Sequence, residues 1–250
     1  MVPAPLISLL DADPDLSAAL SPSQATRAAP RLRVAAIDLP AGQWRPDTTK
    51  PDPAAIGLLI LAGFVSTTVE AAGRGALEVL GPGDLLRPWV RGEAGSLFAP
   101  QMEWSVRTGG ARFAVLDGHA ARLMAPWPEL SSSLLHRATQ RARRLALQAA
   151  INRHPRVTER LLLSLWSQAD RWGRVTRAGV ALPLRLRHHE MAALVAAQRP
   201  SVSKAMSRLR AAEQVHPAPG GWLLLGEPPE DYMVLRERSL LNDGAVAAAR

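Results

Sequence analysis

The spacing of apolar positions changes along this chain, and the changes separate regions of different predicted structure. From residue 31 to residue 116, short apolar runs such as Gly57–Val65 alternate with turns rich in Gly and Pro, such as Gly81–Asp84. This pattern is typical of an antiparallel β sandwich or barrel. Residues 1–30 show little periodicity. We therefore interpret them as a loosely ordered arm that contains one short helix near Leu16–Leu20.

Beyond residue 116 the apolar spacing becomes helical. Residues 117–125 predict a short helix that is closed by proline. A long helix is predicted over residues 131–153, because Ser131–Ser133 offer an N-cap and neither Gly nor Pro follows before Pro155. We expect Pro155 to open the next helix at its first position, and we expect that helix to end before Gly173.

One face of the long predicted helix carries a heptad pattern. Its members recur at alternating spacings of three and four residues: Leu135, Ala138, Ala142, Leu145, Ala149 and Asn152. Such a seam is typical of a helix that pairs with a second copy, so we predict a homodimer joined along it. A helix that packs only on its own domain would show a similar pattern. A seam this short and rich in Ala also needs additional contacts to be stable.

Residues 187–225 predict two short helices followed by a hairpin. The apolar positions place the first helix from Arg187 or His188, a turn at 196–198, and the second helix from about Pro200. The positions expected to point inward are Met191, Leu194 and Val195 on the first helix and Val202, Ala205, Met206, Leu209 and Ala212 on the second. Two short helices joined by a tight turn form the helix-turn-helix unit, whose second helix enters the major groove of DNA. The Gly-bearing turn and apolar strand at 217–225 have the pattern of a wing.

The polar face of the second predicted helix suits contact with DNA. Arg199 and Lys204 can donate to O6 and N7 of guanine, and the short side chains of serine allow a close approach to base edges. Pro200 fixes φ in the first turn, whereas Arg208 lies where a phosphate contact is expected. The predicted DNA-binding residues are Arg187, His188, Arg199, Pro200, Ser201, Ser203, Lys204 and Arg208.

The charge distribution agrees with a polyanionic partner for the second half. Residues 1–130 contain 11 Lys and Arg against 13 Asp and Glu, a net charge of −2. Residues 131–250 contain the other 19 Lys and Arg against 9 Asp and Glu, a net charge of +10. A basic half beside a near-neutral one indicates that only one of them meets nucleic acid. Since 28 of the 30 cations are Arg, an arginine-rich composition is an alternative source of the surplus.

The composition excludes several classes of site. The chain has no Cys, which excludes disulfides, thiolate zinc sites, cysteine nucleophiles and cysteine-ligated iron–sulfur clusters. No apolar run approaches the ~18 residues of a membrane span. Residues 1–10 lack the cations that precede the apolar part of a signal peptide. We therefore expect a cytoplasmic protein with no membrane partner.

No enzyme signature stands out, and we expect no metal site. His188, His189 and Glu190 are adjacent, and adjacent residues of a helix point about 100° apart and cannot close on one ion. The chain also lacks a phosphate-binding glycine loop and a Ser in a G-x-S-x-G context. A scaffold that binds only proteins would leave the cationic face between Arg199 and Lys204 without a role.

Residues 186–225 resemble the C-terminal domain of the Crp/Fnr family of bacterial transcription regulators. The stretch Arg199–Ser203 is the most specific part. The turn at 81–86, the long helix and the helix after it occur in the order of that family, so the resemblance covers residues 31–227. It implies an α+β fold with an N-terminal antiparallel, jelly-roll-like β-roll, a long dimerisation helix and a C-terminal winged helix-turn-helix.

The resemblance divides the chain into five parts. These are an N-terminal arm over 1–30, a sensor-like β-roll over 31–130, a dimerisation helix over 131–153, a winged helix-turn-helix over 154–227 and a C-terminal tail over 228–250. The tail predicts no more than a short helix at Tyr232–Leu241. The family implies a homodimer that binds near-palindromic double-stranded DNA, with an effector pocket in the β-roll and RNA polymerase as a further possible partner.

This chain departs from the family at the predicted effector pocket. In the family's cyclic-nucleotide binders a Gly-Glu pair holds the ribose, and an Arg beside Ser or Thr holds the phosphate. Gly92-Glu93 match the first pair, but residues 101–104 offer no Arg as a counterion for the phosphate. This weighs against a cyclic nucleotide, so we expect no cofactor and leave the effector unassigned. The alternative is a β-roll that senses nothing and serves only dimerisation or contact with polymerase.

Two further departures lie in the helix-turn-helix. The family usually has Gly in the turn, where this chain has Ala196; a positive φ there would cost up to about 1 kcal/mol. The first helix usually opens with Thr or Ser, whereas Arg187 and His188 stand here and predict a weaker N-cap.

Overall fold

The computed structural model of the chain describes residues 4–47, 52–71, 73–89 and 101–229. Two compact units divide the chain, one over residues 1–146 and the other over residues 147–250. None of the helices in the described ranges is long and apolar enough to cross a membrane. The Gly92-Glu93 pair and the helix predicted at Tyr232–Leu241 lie outside the described residues.

The first unit is built on a seven-stranded antiparallel sheet. The elements up to the boundary are β1 (Leu6–Ser8), α1 (Leu9–Ala12), α2 (Pro14–Ala18), α3 (Pro22–Ala28), β2 (Arg33–Leu39), β3 (Gly42–Trp44), β4 (Gly57–Ala71), β5 (Arg74–Leu80), β6 (Leu85–Leu86), β7 (Gln101–Leu116), α4 (Gly118–Met124) and α5 (Pro128–Ile151), the last of which continues across it. The strand order is β1-β2-β7-β4-β5, with β3 paired to β7 and β6 paired to β4.

Strand β4 is buried on both faces of the sheet. Leu59 belongs to one apolar cluster with Ala114, and Ile60 belongs to a second cluster with Phe113. Successive side chains of a strand point to opposite faces, so neighbouring residues enter different clusters. The run Gly57–Val65 is therefore almost continuously apolar instead of alternating with polar residues.

The N-terminal residues are packed parts of this unit, which corrects the interpretation of residues 1–30 as a loosely ordered arm. Strand β1 pairs with β2, and Leu9 and Leu16 are fully buried in the cluster that contains Leu59. At the start of α3, its N-cap Ser21 and Gln24 form a capping box. Elements of three to seven residues are too short to show a period in the sequence, so only their tertiary contacts reveal them.

Helix α5 is held to the first unit by arginines on one face. Arg137 donates to both carboxylate oxygens of Asp13, over 2.5 and 2.8 Å. Two further pairs follow on the same face, Arg141 with Glu78 and Arg144 with Asp84, each with a shortest distance of 2.7 Å. Because Asp13 accepts these hydrogen bonds, the pKa of the Arg137 guanidinium lies above its ordinary value.

The second unit combines three helices with a four-stranded sheet. Its elements are α6 (Val157–Trp172), β8 (Arg174–Thr176), β9 (Gly179–Leu182), α7 (His188–Leu194), α8 (Arg199–Ala211), β10 (Val215–Ala218) and β11 (Gly221–Leu224). The sheet is antiparallel, in the order β10-β11-β9-β8. Helix α6 supplies the buried residues Leu161 and Leu165 to the core of this unit.

Two prolines act differently from their predicted roles. Pro128 opens helix α5, so the helix begins three residues before Ser131; the fixed φ of proline suits the first helical position. Pro155 was expected to open α6 but lies outside it. Arg156 is the N-cap, and its extended backbone (φ −98°, ψ 124°) separates the proline from the helix. Helix α6 ends before Gly173, as predicted.

The close approach of the backbones of the paired strands β4 and β7 at Gly63 generates a stability prediction. Gly63 and Gly73 both have positive φ, of 79° and 72°. A Cβ at Gly63 would overlap the carbonyl oxygen of Gly110 and lie 2.8 Å from the Cα of Ala111, whereas at Gly73 no described atom lies within 4 Å. We expect Gly63→Ala to lower the free energy of unfolding by about 1–3 kcal/mol more than Gly73→Ala, because only the former adds steric overlap to the strain of positive φ.

Urea-induced unfolding of the two variants, followed by circular dichroism, measures this difference. Equal losses in Gly63→Ala and Gly73→Ala would show that the backbones of β4 and β7 do not approach as closely as the structure has them.

Candidate nucleic-acid interface

Helices α7 and α8 form the helix-turn-helix that the apolar pattern predicts. The first helix begins at His188, and the second begins at Arg199 with Pro200 in its first turn. Their inward positions are buried as expected: Met191, Leu194 and Val195 from the first helix and its end, and Val202, Ala205, Met206 and Leu209 from the second. Ala212 was also expected to point inward, but it is exposed because α8 ends at Ala211.

The turn between the two helices is strained at Ala196. This residue has a φ of 49°, in the left-handed region that costs a residue with a Cβ roughly 1–2 kcal/mol. The positive φ anticipated from the family's preference for Gly is therefore present. Ala197 closes the turn, because its amide donates to the carbonyl of Ala192 over 2.9 Å. The chain thus adopts a positive φ at this turn with Ala, although Gly would adopt it at a lower cost in conformational energy.

Glu190 offsets the weak N-cap of α7. Arg187 stands at the N-cap, and its side chain makes no capping hydrogen bond. The carboxylate of Glu190 accepts a hydrogen bond from the Arg187 amide over 2.6 Å, and an acidic group in the first turn also interacts favourably with the helix dipole. His189 and Glu190 are therefore parts of a helix start.

The outer face of α8 is cationic and open to solvent. Arg199, Pro200, Lys204 and Arg208 are exposed, and Ser201 is half-buried. The helix contains four Lys and Arg and no Asp or Glu. Because its apolar stripe is buried on the opposite side, these cations are presented together on one surface. The structure thus brings five of the predicted DNA-binding residues onto one face of a single helix.

Ser203 is placed differently from a free base reader. Its hydroxyl donates to the carbonyl of Arg199 over 3.1 Å, and its oxygen lies 2.9 Å from Nδ1 of His188. A hydroxyl has a single hydrogen, so donation to the carbonyl leaves its oxygen to accept from His188 Nδ1–H. In that arrangement the imidazole joins the start of α7 to α8. Sequence spacing could not reveal this pair, because its members lie 15 residues apart on different helices.

The hairpin β10–β11 occupies the position of the predicted wing. Its turn contains Gly220, with a φ of 77°, and Val215 pairs with Leu224 at the base. Trp222 is buried. The Arg210 guanidinium lies 5.7 Å from the Trp222 ring, within reach of a cation–π contact. Arg210 thus lies over the wing, about three helical turns along α8 from Arg199.

The predicted dimerisation seam is exposed along α5. Leu135 and Leu145 are large apolar residues with 68% and 47% exposure. The three alanines of the seam, Ala138, Ala142 and Ala149, are exposed as well. Asn152 behaves differently, because it is half-buried and its side-chain amide donates to the carbonyl of Leu194 over 3.2 Å. An exposed apolar stripe on a helix marks an unpartnered surface in the single chain.

Comparison with known proteins identifies the second unit. Residues 156–225 match the family model of the Crp-like helix-turn-helix domain. This chain contains a Crp-like helix-turn-helix domain. The match begins at the N-cap of α6 and ends after β11, so it includes the two helices and the wing described above. A search of the curated proteins found no match.

Solved structures extend the likeness over most of the chain. One is a CRP-family transcriptional regulator from Thermus thermophilus, with 21% identity and a TM-score of 0.54, covering 76% of this chain and 91% of that chain. A second is the c-di-GMP responsive global regulator CLP of Xanthomonas campestris, with 19% identity and a TM-score of 0.54, covering 81% and 100%. A third is FixK2 from Bradyrhizobium japonicum, with 13% identity and a TM-score of 0.57, covering 78% and 93%.

These likenesses confirm the predicted fold class and the resemblance to the Crp/Fnr family. A β-rich N-terminal unit, a long helix and a C-terminal Crp-like helix-turn-helix follow one another in this chain as in those structures. At such low identities the similarity establishes the fold, while the roles of individual residues depend on the geometry of this chain.

The strain at Ala196 generates a prediction. We expect Ala196→Gly to raise the free energy of unfolding by up to about 1 kcal/mol, because Gly adopts a positive φ without a steric penalty. Ala197→Gly is the matched control. Ala197 does not have a positive φ, so its replacement by Gly should lower the free energy by about 0.5–1 kcal/mol. Thermal and urea unfolding of the two variants measures both changes, and a loss of stability in Ala196→Gly would contradict the strained turn.

Proposed function

We propose that this chain is a sequence-specific, DNA-binding transcription regulator that acts as a homodimer. The observation that carries the proposal is the exposed, acid-free cationic face of α8 within a Crp-like helix-turn-helix. A helix of this kind fits the major groove, where Arg and Lys can donate to O6 and N7 of guanine. We further propose that the protein is cytoplasmic, that it is a regulator and not an enzyme, and that RNA polymerase is a further partner.

The exposed residues of α8 divide into two proposed roles. Arg199, Ser201 and Lys204 lie in the first turns of the helix, the part that reaches base edges in a helix-turn-helix. Arg208 lies further along, where contacts to phosphate are expected, as they are for Arg187 at the start of α7. With Nδ1–H donated to Ser203, Nε2 of His188 donates to a phosphate only when the ring is the doubly protonated imidazolium. Ser203 then acts mainly by holding His188.

The exposed stripe on α5 supports the proposed dimer. Leu135, Ala138, Ala142, Leu145 and Ala149 present apolar or small side chains to solvent. The arginines of the neighbouring face, about 100° around the helix, are engaged by Asp13, Glu78 and Asp84. A second copy of the same helix would cover the stripe in a symmetric contact. Two-fold symmetry then places the half-sites of the operator one helical turn of DNA apart, about 34 Å.

The β-roll is the proposed site of regulation. Binding of an effector or partner to the first unit would alter DNA affinity if it favours one of two states of the dimer. The second possibility is a β-roll that senses nothing and serves dimerisation or contact with polymerase. The proposed β-roll needs no bound cofactor. A saturable shift of the melting temperature by a small molecule distinguishes a sensor from a passive scaffold.

Selection of bound sequences from a random double-stranded DNA pool tests the proposed function, with the apo protein at about 0.15 M salt, where phosphate contacts alone bind weakly. Enrichment of a near-palindrome is the expected result. If the salt-sensitive binding showed no sequence preference in the absence or presence of candidate effectors, the proposal of a sequence-specific regulator would be wrong.

The division of α8 into base and phosphate contacts generates a further prediction. We expect Arg199→Ala to reduce the preference for the selected operator over a scrambled duplex by about 10- to 100-fold, since a bidentate guanine contact contributes about 1–3 kcal/mol of discrimination. Arg208→Ala is the matched control. It should weaken binding to both duplexes alike and reduce the salt dependence of affinity by about one phosphate contact. Titrations of both duplexes at several salt concentrations provide the measurement.

If Arg199→Ala weakened binding to the operator and to the scrambled duplex equally, Arg199 would be a phosphate contact. The proposed base-reading role would then have to pass to other residues of α8.

The exposed seam generates a prediction about assembly. We expect Leu135→Glu to convert the dimer to monomer, because symmetry would place two like charges in an apolar contact. Val175→Glu is the control, since Val175 is a large apolar residue of 88% exposure that lies on β8 and away from the seam. Light scattering coupled to size-exclusion chromatography measures the mass of each variant. A dimer that survives Leu135→Glu would show that the subunits associate through another surface.

A further inference from the structure

The carbonyls at the C-terminal end of α7 accept hydrogen bonds from side chains of α6 and of the end of α5. The side-chain amides of Gln148, in the last turn of α5, and of Asn152, the residue that follows α5, both donate to the carbonyl of Leu194, over 3.1 and 3.2 Å. The guanidinium of Arg160, in the first turn of α6, donates to the carbonyls of Val195 and Ala196 over 3.3 and 3.2 Å. Three successive carbonyls at one turn are therefore satisfied from outside α7.

These donors match what the end of a helix lacks. The last carbonyls of an α-helix have no partner within the helix, and together they form the negative end of its dipole. Amide donors satisfy the carbonyl of Leu194, while the cation of Arg160 lies where positive charge is favourable. The same guanidinium also donates to the carbonyl of His154 over 2.5 Å. Arg160 is thus held in place independently of the turn that it contacts.

We call Gln148, Asn152 and Arg160 together the clamp. The clamp contacts the turn that contains the strained residue, Ala196. Ala196 has a φ of 49° without being Gly, and its own carbonyl is one of those bound by Arg160. Helix α8 begins three residues later, at Arg199. Any change of φ at Ala196 would therefore swing the start of α8, which contains the proposed base readers.

We propose that Gln148, Asn152 and Arg160 are positioning residues for DNA binding, which hold the turn at Ala196 and so fix the direction of α8. The inference deepens the proposed function and rests on it. None of the three residues belongs to the helix that contacts DNA in that proposal. Gln148 belongs to the helix that carries the predicted dimer seam, and Asn152 directly follows that helix. One element and its end therefore support both the proposed dimer and the presentation of the reading helix.

A purely structural role would have different consequences. Gln148 also bonds to the fully buried Ser164 of α6 over 3.0 Å, so its loss could loosen the packing between α5 and α6 without affecting the turn. Packing of that kind lowers stability and weakens all DNA binding alike. A positioning role instead lowers the affinity for the operator more than the affinity for non-specific DNA.

The experiment compares two variants with two matched controls. Arg160→Met removes the cation of the clamp, and Arg156→Met removes a neighbouring arginine whose partner is Glu159 in the same helical turn. Gln148→Met removes an amide of the clamp, and Gln140→Met removes an amide of the same helix whose partner is His136. Each variant is measured by amide hydrogen exchange and by affinity for the selected operator and for a scrambled duplex.

Hydrogen exchange of the Ala197 amide reports on the turn without DNA. This amide donates to the carbonyl of Ala192, and the amide of Gly173, which donates to Ala169 at the end of α6, serves as the internal reference. We expect Arg160→Met and Gln148→Met to speed the exchange of Ala197 relative to Gly173 by about tenfold, the effect of losing one hydrogen bond. The two controls should leave the ratio unchanged.

DNA binding then tests the positioning role. We expect both clamp variants to lose about tenfold in operator affinity and about twofold or less in affinity for the scrambled duplex, as a loss of one hydrogen bond and of register implies. Adding Ala196→Gly to Arg160→Met should restore part of the lost operator affinity, because Gly needs no external support for a positive φ.

Unchanged exchange of Ala197 in both clamp variants would overturn the inference, and so would an equal loss of affinity for the two duplexes. If the exchange results are as expected but the wild-type protein shows no sequence preference, the proposed function fails and the role in DNA binding fails with it. The clamp would then remain as a support of the turn alone.

Discussion

The position of α8 depends first on the burial of its apolar stripe. Val202, Met206 and Leu209 are almost completely buried, and burying each side chain of this size contributes about 1.5–3 kcal/mol. This contact fixes which face of the helix points inward, and the cations of the other face are exposed as a consequence. Rotation of α8 about its own axis is thereby prevented. The polar contacts at its start then determine its direction.

Those polar contacts act at both ends of α7. At the first end, His188 reaches Ser203 of α8. At the second, the clamp on the carbonyls of Leu194, Val195 and Ala196 holds the strained turn. Both ends of the short helix α7 are therefore fixed to neighbouring helices by hydrogen bonds. Apolar burial alone would leave it free to slide, because the hydrophobic effect has no preferred direction, whereas hydrogen bonds require particular distances and angles.

Helix α5 shows why charge counted along the sequence differs from charge available to a ligand. Residues 131–250 carry the whole positive surplus of the chain. Three of their arginines, however, pair with acidic residues of the first half: Arg137 with Asp13, Arg141 with Glu78 and Arg144 with Asp84. These charges hold the helix to the rest of the first unit and are not available to DNA. The cations of the proposed interface, on α8 and at the start of α7, are exposed.

The sequence by itself determined the succession of a β region, a long helix and a helix-turn-helix, and the inward residues of the second helix as far as Leu209, because these follow from local spacing. The resemblance to the family, and not the spacing, drew attention to φ at Ala196. Tertiary structure alone decided the packing of the N-terminal elements, the pairing of His188 with Ser203 and the clamp formed by Gln148, Asn152 and Arg160. The two partners in each of these polar contacts are at least 15 residues apart along the chain. The N-terminal elements are too short to show a period in the sequence. Periodicity reports on neighbours within one helix or strand, whereas the partner of a polar side chain is decided only when distant segments pack.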